Sequence, residues 1–142
     1  MKLFVFVLMP FDKKFNKRYE LAIKCAIQDA GMRAERVDQQ SFPRQGITDR
    51  IIKQIQDADI LIADMSAKNP NVCYEVGYAH AKNKLCILLT NDPNAIPFDL
   101  KDRRHIVFSN LNDLKTKLRK DLEALKVEME LSFDKADTEC VT

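Results

Sequence analysis

Between Asp64 and Tyr78 the chain places Asp64, Ser66, Asn69, Asn71, Glu75 and Tyr78, side chains suited to work on a polar ligand. An ionised carboxylate such as Glu75 can attack a sugar carbon or stabilise an oxocarbenium ion. Its place within the first two turns of an expected helix puts it near the positive end of the dipole, which favours the ionised form. Tyr78 and Ala79 follow at three and four positions, so they share its face, and the Tyr78 hydroxyl could orient the carboxylate. Position alone favours an acid that only complements the helix dipole, since acids near helix starts are common. Asp64 ends an apolar run, so its carboxylate needs partners. Either it binds ribose hydroxyls and assists acid/base chemistry, or it accepts backbone N–H groups of the following loop.

Other chemistries find less support. The glycines are Gly31, Gly46 and Gly77, so neither a GxGxxG nor a Walker loop can be built. No GxSxG elbow surrounds Ser66. His80 and His105 are isolated and read as structural or surface residues. Cys25, Cys73, Cys86 and Cys140 are far apart with no CxxC pair, so no metal site is expected. Cys25 and Cys86 lie in apolar patterns and read as small core residues. No cofactor is expected.

The elements that position these residues follow from hydrophobic spacing. Leu3 to Met9 is a continuous apolar run, as in a strand buried on both faces, and Pro10 ends it. Tyr19, Ala22, Ile23, Ala26, Ile27 and Ala30 recur at helical spacing up to Gly31. Met32 to Val37 alternates and reads as a strand nearer an edge. Ser41 to Gln45 reads as loop, and Ile47, Ile51, Ile52 and Ile55 mark a second helix. Asp59 to Asp64 is a second buried strand. Asn69 suits an N-cap and Pro70 the first turn of a helix running through Val72, Val76 and Ala79. Leu85 to Leu89 is a third buried strand, Asn91 to Asp102 a loop, and His105 to Phe108 a last short strand. Leu111, Leu114, Leu118, Leu122, Leu125 and Met129 define a long amphipathic helix.

This alternation predicts an α/β fold of the flavodoxin-like, doubly wound kind: a parallel five-stranded sheet, order 2-1-3-4-5, with helices on both faces. One domain over residues 1–133 is expected, followed by a polar, frayed tail over 134–142. In such sheets ligands sit beyond the carboxyl ends of the strands, near the switch point. That rule selects Met9, Pro10, Phe11 and Asp12 after strand one, and Asp38 and Gln39 after strand two. It selects Asp64, Met65, Ser66, Asn69 and Asn71 after strand three, Thr90 and Asn91 after strand four, and Ser109 and Asn110 after strand five. Phe11 could stack on a base or belong to the core.

The 142 residues suffice for one core, and 46% hydrophobic with 31% charged residues is an ordinary globular balance. A net charge of +2 makes no case for a nucleic-acid partner. The local run Lys13, Lys14, Lys17 and Arg18 reads as a solvated helix face. The apolar N-terminal run is too short to span a bilayer and lacks signal-peptide features, and reduced cysteines fit a cytoplasmic setting.

The segment Ala58 to Ser66, followed by Asn69-Pro70-Asn71-Val72-Cys73-Tyr74-Glu75-Val76-Gly77-Tyr78-Ala79-His80-Ala81, resembles nucleoside 2-deoxyribosyltransferase-like proteins, also described as TIR-like. Phe6 to Phe11 and Ile96 to Leu100 fit the same group, so the resemblance spans about residues 2 to 110. In the transferases a glutamate in a Glu-(Leu/Val)-Gly-Tyr-Ala context is the nucleophile. Glu75-Val76-Gly77-Tyr78-Ala79 matches that context, and the resemblance therefore implies a functional Glu75. It implies a nucleoside, nucleotide or NAD as small-molecule partner. It also implies a homodimer or higher homo-oligomer, in which the apolar stripe of the last helix either serves the contact or packs on its own sheet. This chain departs from the transferases at Asn69, where they carry an aspartate, and at Met9-Pro10-Phe11. Those departures leave hydrolysis, or binding without turnover, beside base exchange. The alternative function is a TIR-like signalling or defence module that binds or consumes NAD. A phosphoacceptor receiver domain would need an acidic pair after strand one, and only Asp12 is near.

Overall fold

The computed structural model describes residues 2–10, 12–36 and 47–140, with the backbone alone at 47, 48, 98 and 133–140. Phe11, Val37, Asp38, Gln39 and the expected loop from Ser41 to Gln45 therefore lie outside the described residues.

Strands β1 (Phe4–Leu8), β2 (Arg33–Arg36), β3 (Ile60–Asp64), β4 (Cys86–Thr90) and β5 (His105–Val107) form one sheet in the order β2-β1-β3-β4-β5. Every pairing is parallel, with Val5 opposite Ala34 on one side and Ile60 on the other. The expected order and class are the observed ones.

Successive strand residues point to opposite faces, and each face is covered. Val5, Val7, Ile60, Ile62, Ile87 and Leu89 meet one helical layer, which includes Ala22, Ile27, Leu114, Leu118 and Leu122. Phe4, Phe6, Leu8, Leu61, Ala63 and Leu88 meet the other, which includes Ile51, Ile55, Val72, Val76 and Ala79. Two-sided burial is why the central strands read as unbroken apolar runs.

The first layer begins with α1 (Lys13–Arg18), a π-helical turn (Tyr19–Ile23) and α2 (Lys24–Asp29), which run on without a break. Asp12 caps α1 by accepting from the Phe15 N–H at 3.1 Å. The second layer holds α3 (Ile47–Asp57) and α4 (Pro70–Ala81). Two helix ends use the same device. The N–H groups of Gly31 and Met32 bond to Gln28 and Ile27 carbonyls, and those of Asn83 and Lys84 bond to His80 and Ala79 carbonyls. Both patterns need a left-handed residue, supplied by Gly31 at φ 77° and Asn83 at φ 56°. Each turns the chain toward the next strand.

Several boundaries differ from expectation. The loop after β4 carries two short 3-10 turns, Pro93–Ala95 and Phe98–Leu100. Helix α5 spans Leu111–Cys140, so its backbone stays helical past Phe133, where a frayed tail was expected. The stripe Leu114, Leu118, Leu122 and Leu125 is buried against its own sheet. Cys25 and Cys86 are both half-buried rather than core residues, the Cys25 thiol 3.4 Å from the Glu20 carbonyl and Cys86 packed at the edge of the second layer. No described helix is long and apolar enough to cross a membrane.

Candidate active site

Asn69 and Pro70 start α4 as their residue types dictate. The Asn69 side chain accepts from the N–H groups of Asn71 at 2.9 Å and Val72 at 3.3 Å, and Pro70 supplies no N–H to be satisfied. Val72, Val76 and Ala79 then face the core, and Glu75 flanks that buried stripe. Tyr78 lies on the same flank, and its hydroxyl accepts from Gln56 Nε2 of α3 at 2.8 Å. Glu75 therefore stands in the second turn of the helix that follows β3, on the flank of α4 turned toward α3. The expected Tyr78–Glu75 hydrogen bond is not formed among the described residues; the Tyr78 oxygen accepts from Gln56, and its O–H remains able to donate.

Glu75 is half-buried, and burial pushes its carboxyl up to about 7. It makes no hydrogen bond or ion pair among the described residues. The dipole argument favoured the ionised form, but the dipole's effect fades after the first turn and Glu75 stands in the second. Desolvation is the stronger influence there. Carboxyls shifted in this way cluster at functional sites, which makes Glu75 a candidate.

Asp64 points the other way. It continues the set Ile60 and Ile62, which faces α1 and α5, whereas Glu75 lies on the α3–α4 side. Its Oδ1 accepts from the Ser66 N–H at 3.0 Å and its Oδ2 from Arg18 Nη1 at 2.6 Å. The side chain has no solvent-accessible surface. This corrects the expectation of direct contact with sugar hydroxyls: both oxygens are occupied and closed off. The loop-binding alternative describes Asp64, with Arg18 added.

Arg18 is the residue that sequence reading missed. Its guanidinium lies between the rings of Phe15 and Phe108, at 4.9 and 5.0 Å from their centroids. It is buried, not part of a solvated face as the basic run suggested. A signal existed: Phe15, Arg18, Tyr19 and Ala22 are spaced three and four apart, in phase with the buried stripe. A second arginine organises the β1 end. Arg36 donates to the Pro10 carbonyl at 2.7 Å and to Asn16 Oδ1 at 2.8 Å.

The remaining rim residues divide by availability. Met9 is buried in the core and Pro10 is half-buried. Ser66 Oγ accepts from the Asn91 N–H at 3.1 Å, joining the ends of β3 and β4. Asn69 and Asn110 are helix caps, Asn110 Oδ1 accepting from the Asp113 N–H at 2.8 Å. Asn71 is exposed. Thr90 Oγ1 is bonded to Asp92 at both its N–H and its carbonyl. His80 and His105 are exposed. Among the described residues no three His, Cys, Asp or Glu side chains are grouped to hold a metal ion.

The sequence matches the nucleoside 2-deoxyribosyltransferase family over residues 5–136. The fold is similar to that of a CMP N-glycosidase from Clostridium botulinum, with a TM-score of 0.63 at 19% identity, covering 81% of this chain and 97% of that one. It is also similar to a 2-deoxyribosyltransferase from Bacillus psychrosaccharolyticus, with a TM-score of 0.62 at 17% identity, covering 81% and 95%. A flavodoxin-like domain from Synechococcus matches less well, at 0.54 and 15% identity over 87% of this chain and 99% of that one. No protein with a curated description matches. At such identities the solved structures show likeness of fold, and the family match carries the chemistry, which acts on the base–sugar bond of small-molecule nucleosides. With most of its length matched, including the whole sheet and the Glu75 helix, this chain belongs to the nucleoside 2-deoxyribosyltransferase family of enzymes.

Proposed function

We propose that the protein cleaves or transfers the N-glycosidic bond of a nucleoside or nucleotide, with Glu75 as nucleophile or oxocarbenium stabiliser. The observation that carries this reading is the half-buried, partnerless Glu75 carboxyl, raised to about 7 and carried early in the helix that follows β3, a strand that borders the switch point of the sheet. In its ionised form Glu75 attacks the anomeric carbon. The carbon–nitrogen bond breaks, its electron pair leaves with the base, and the base takes up a proton. Water then attacks the same carbon and releases Glu75, or a second base does so in transfer. A carboxylate with few hydrogen bonds is the stronger nucleophile.

Asp64 takes a positioning role in this scheme. With Arg18 it fixes Ser66, and through Ser66 the start of the β4 exit loop. Ser66 and Asn71 are the rim side chains best placed to meet ligand hydroxyls. Asn69 and Asn110 act by holding the helix starts that frame the rim, and Tyr78 by tying α4 to α3. Met9 and Pro10 shape the floor at the β1 end, with Phe11 and Asp38 as further ligand contacts. A homo-oligomer belongs to the same reading.

The test is incubation of the protein with nucleosides, nucleoside monophosphates and NAD, with free base followed by chromatography and Glu75→Gln as control. Base release that disappears in Glu75→Gln is the expected result. Full activity in a folded Glu75→Gln or Glu75→Ala protein would overturn the assignment.

A further inference from the structure

We propose that Arg18 selects the base of the ligand. Its unused N–H groups fit two adjacent hydrogen-bond acceptors on a base edge, as cytosine offers at O2 and N3, and guanine or hypoxanthine at O6 and N7. This deepens the nucleoside reading above and rests on it.

A guanidinium presents its N–H donors as a rigid planar fork. In Arg18 only Nη1 is engaged, donating to Asp64 Oδ2 at 2.6 Å. The side chain is 7% exposed, yet Nε and Nη2 make no hydrogen bond among the described residues, and neither is closed off from solvent. Donors so nearly buried are costly to leave unmatched. Nε–H and the nearer Nη2–H point the same way, side by side, so they form a two-pronged donor. The rings of Phe15 and Phe108 lie against the guanidinium, at 4.9 and 5.0 Å from their centroids, which leaves its edge as the approach for a ligand. Asp64 ends β3 and Phe108 follows β5. The group therefore stands at the carboxyl end of the sheet, where ligands of such folds sit.

Charge decides what the two prongs take. The closed-off Asp64 carboxylate already balances Arg18. A phosphate or carboxylate on the free prongs would bring a second negative charge into the same buried group, at a further desolvation cost. Two neutral acceptors satisfy the donors and add no charge. Cytosine, guanine and hypoxanthine each carry two acceptors side by side. In adenine N7 and N1 each stand next to the N6 amino donor, and in uracil N3–H separates the two carbonyls, so one prong would meet a donor or nothing. The Ser66 N–H holds the other Asp64 oxygen at 3.0 Å, and Ser66 is the residue set against ligand hydroxyls above. One carboxylate thus ties the base contact to the sugar contact.

The test is calorimetric binding to the full chain carrying Glu75→Gln, so that no turnover intervenes. The probes are ribo- and deoxyribonucleosides of cytosine, guanine, hypoxanthine, adenine and uracil, and their 5′-monophosphates. Cytosine, or guanine with hypoxanthine, is expected to bind about tenfold tighter than adenine and uracil. The 3-deaza analogue of the cytosine ligand, or the 7-deaza analogue of the guanine ligand, replaces one acceptor by C–H and is expected to lose that preference with Arg18 unaltered. Arg18→Lys keeps a cation for Asp64 and removes the fork, so it is expected to bind all bases alike, with circular dichroism verifying its fold. Equal affinity for all bases, undiminished binding of the deaza analogue, or a preference that survives in folded Arg18→Lys overturns the proposal. A loss in Arg18→Lys confined to monophosphates also overturns it, by putting the phosphate on Arg18. Base release with no base preference overturns this inference alone. Base-selective binding without Glu75-dependent release by the wild type overturns the proposed chemistry alone, and no binding of any probe overturns both.

Discussion

Replacing Glu75 by glutamine is expected to stabilise the protein at alkaline pH while removing its activity. The ordinary carboxyl value is 4.5 and burial raises Glu75 to about 7. Between those values the folded protein binds more protons than the unfolded chain, so stability falls as pH rises. Below 4.5 both states are protonated and the penalty is absent; above about 7 it is complete. At about 1.4 kcal/mol per pKa unit the full penalty is roughly 3 kcal/mol, and water reaching part of the carboxyl reduces it to about 2. Glutamine has nearly the same shape and carries no charge at any pH. Urea denaturation of both proteins from pH 4 to pH 8.5 should therefore give equal stabilities at the acid end. At the alkaline end Glu75→Gln should be ahead by about 2 kcal/mol. Parallel stability profiles across the range, or a less stable glutamine variant above pH 7.5, would refute the claim that desolvation governs this carboxyl.

Other expectations concern the supports of the site. Arg18→Met should cost about 3–5 kcal/mol in denaturant titrations, because it strands the closed-off Asp64 carboxylate. Arg18→Met with Asp64→Leu should recover much of that loss, and a double variant no better than the single one would show that the pair is not the cause. Asn69→Ala should lower stability by about 1 kcal/mol through loss of the α4 cap, measured by thermal melting. Burial pushes the Cys86 thiol up to about 12, so a disulfide reagent at pH 8 should modify this half-buried side chain far more slowly than an ordinary exposed thiol. Cys86→Ser should leave the count of fast-reacting thiols unchanged. If Glu75 must be ionised to react, base release at low substrate should rise with pH through about 7.

The sheet order was legible because each central strand is an unbroken apolar run and each crossover is long enough for a helix. Asn69-Pro70 announced the start of α4 by local chemistry alone, and the Glu75 pentapeptide announced the family. Arg18 was not legible as a buried residue because its partner lies 46 positions away. A basic side chain beside three lysine-rich positions reads as solvated until Asp64 is known to face it. The raised value at Glu75 is not legible in the sequence for a related reason. The helix dipole is a local feature, whereas the desolvation that outweighs it comes from packing around α4. The roles of Tyr78 and Asn110 likewise depend on which neighbour claims their polar atoms, and for Tyr78 that neighbour is on another helix.

The π-helical turn at Tyr19–Ile23 has a consequence for how this helix tolerates change in length. A π turn holds one residue more than an α-helical turn, so it works as an insertion absorbed inside a continuous helix. It sets the phase of α1 relative to α2, letting Phe15 and Arg18 face inward together with Ala26 and Ile27. Deleting one residue there would let the segment relax to a regular α-helix. The part before the deletion would turn by about 100° around the axis, swinging Arg18 away from Asp64 while leaving α2 seated. A chain shorter by that one residue would therefore keep its sheet and lose the arginine–aspartate pair.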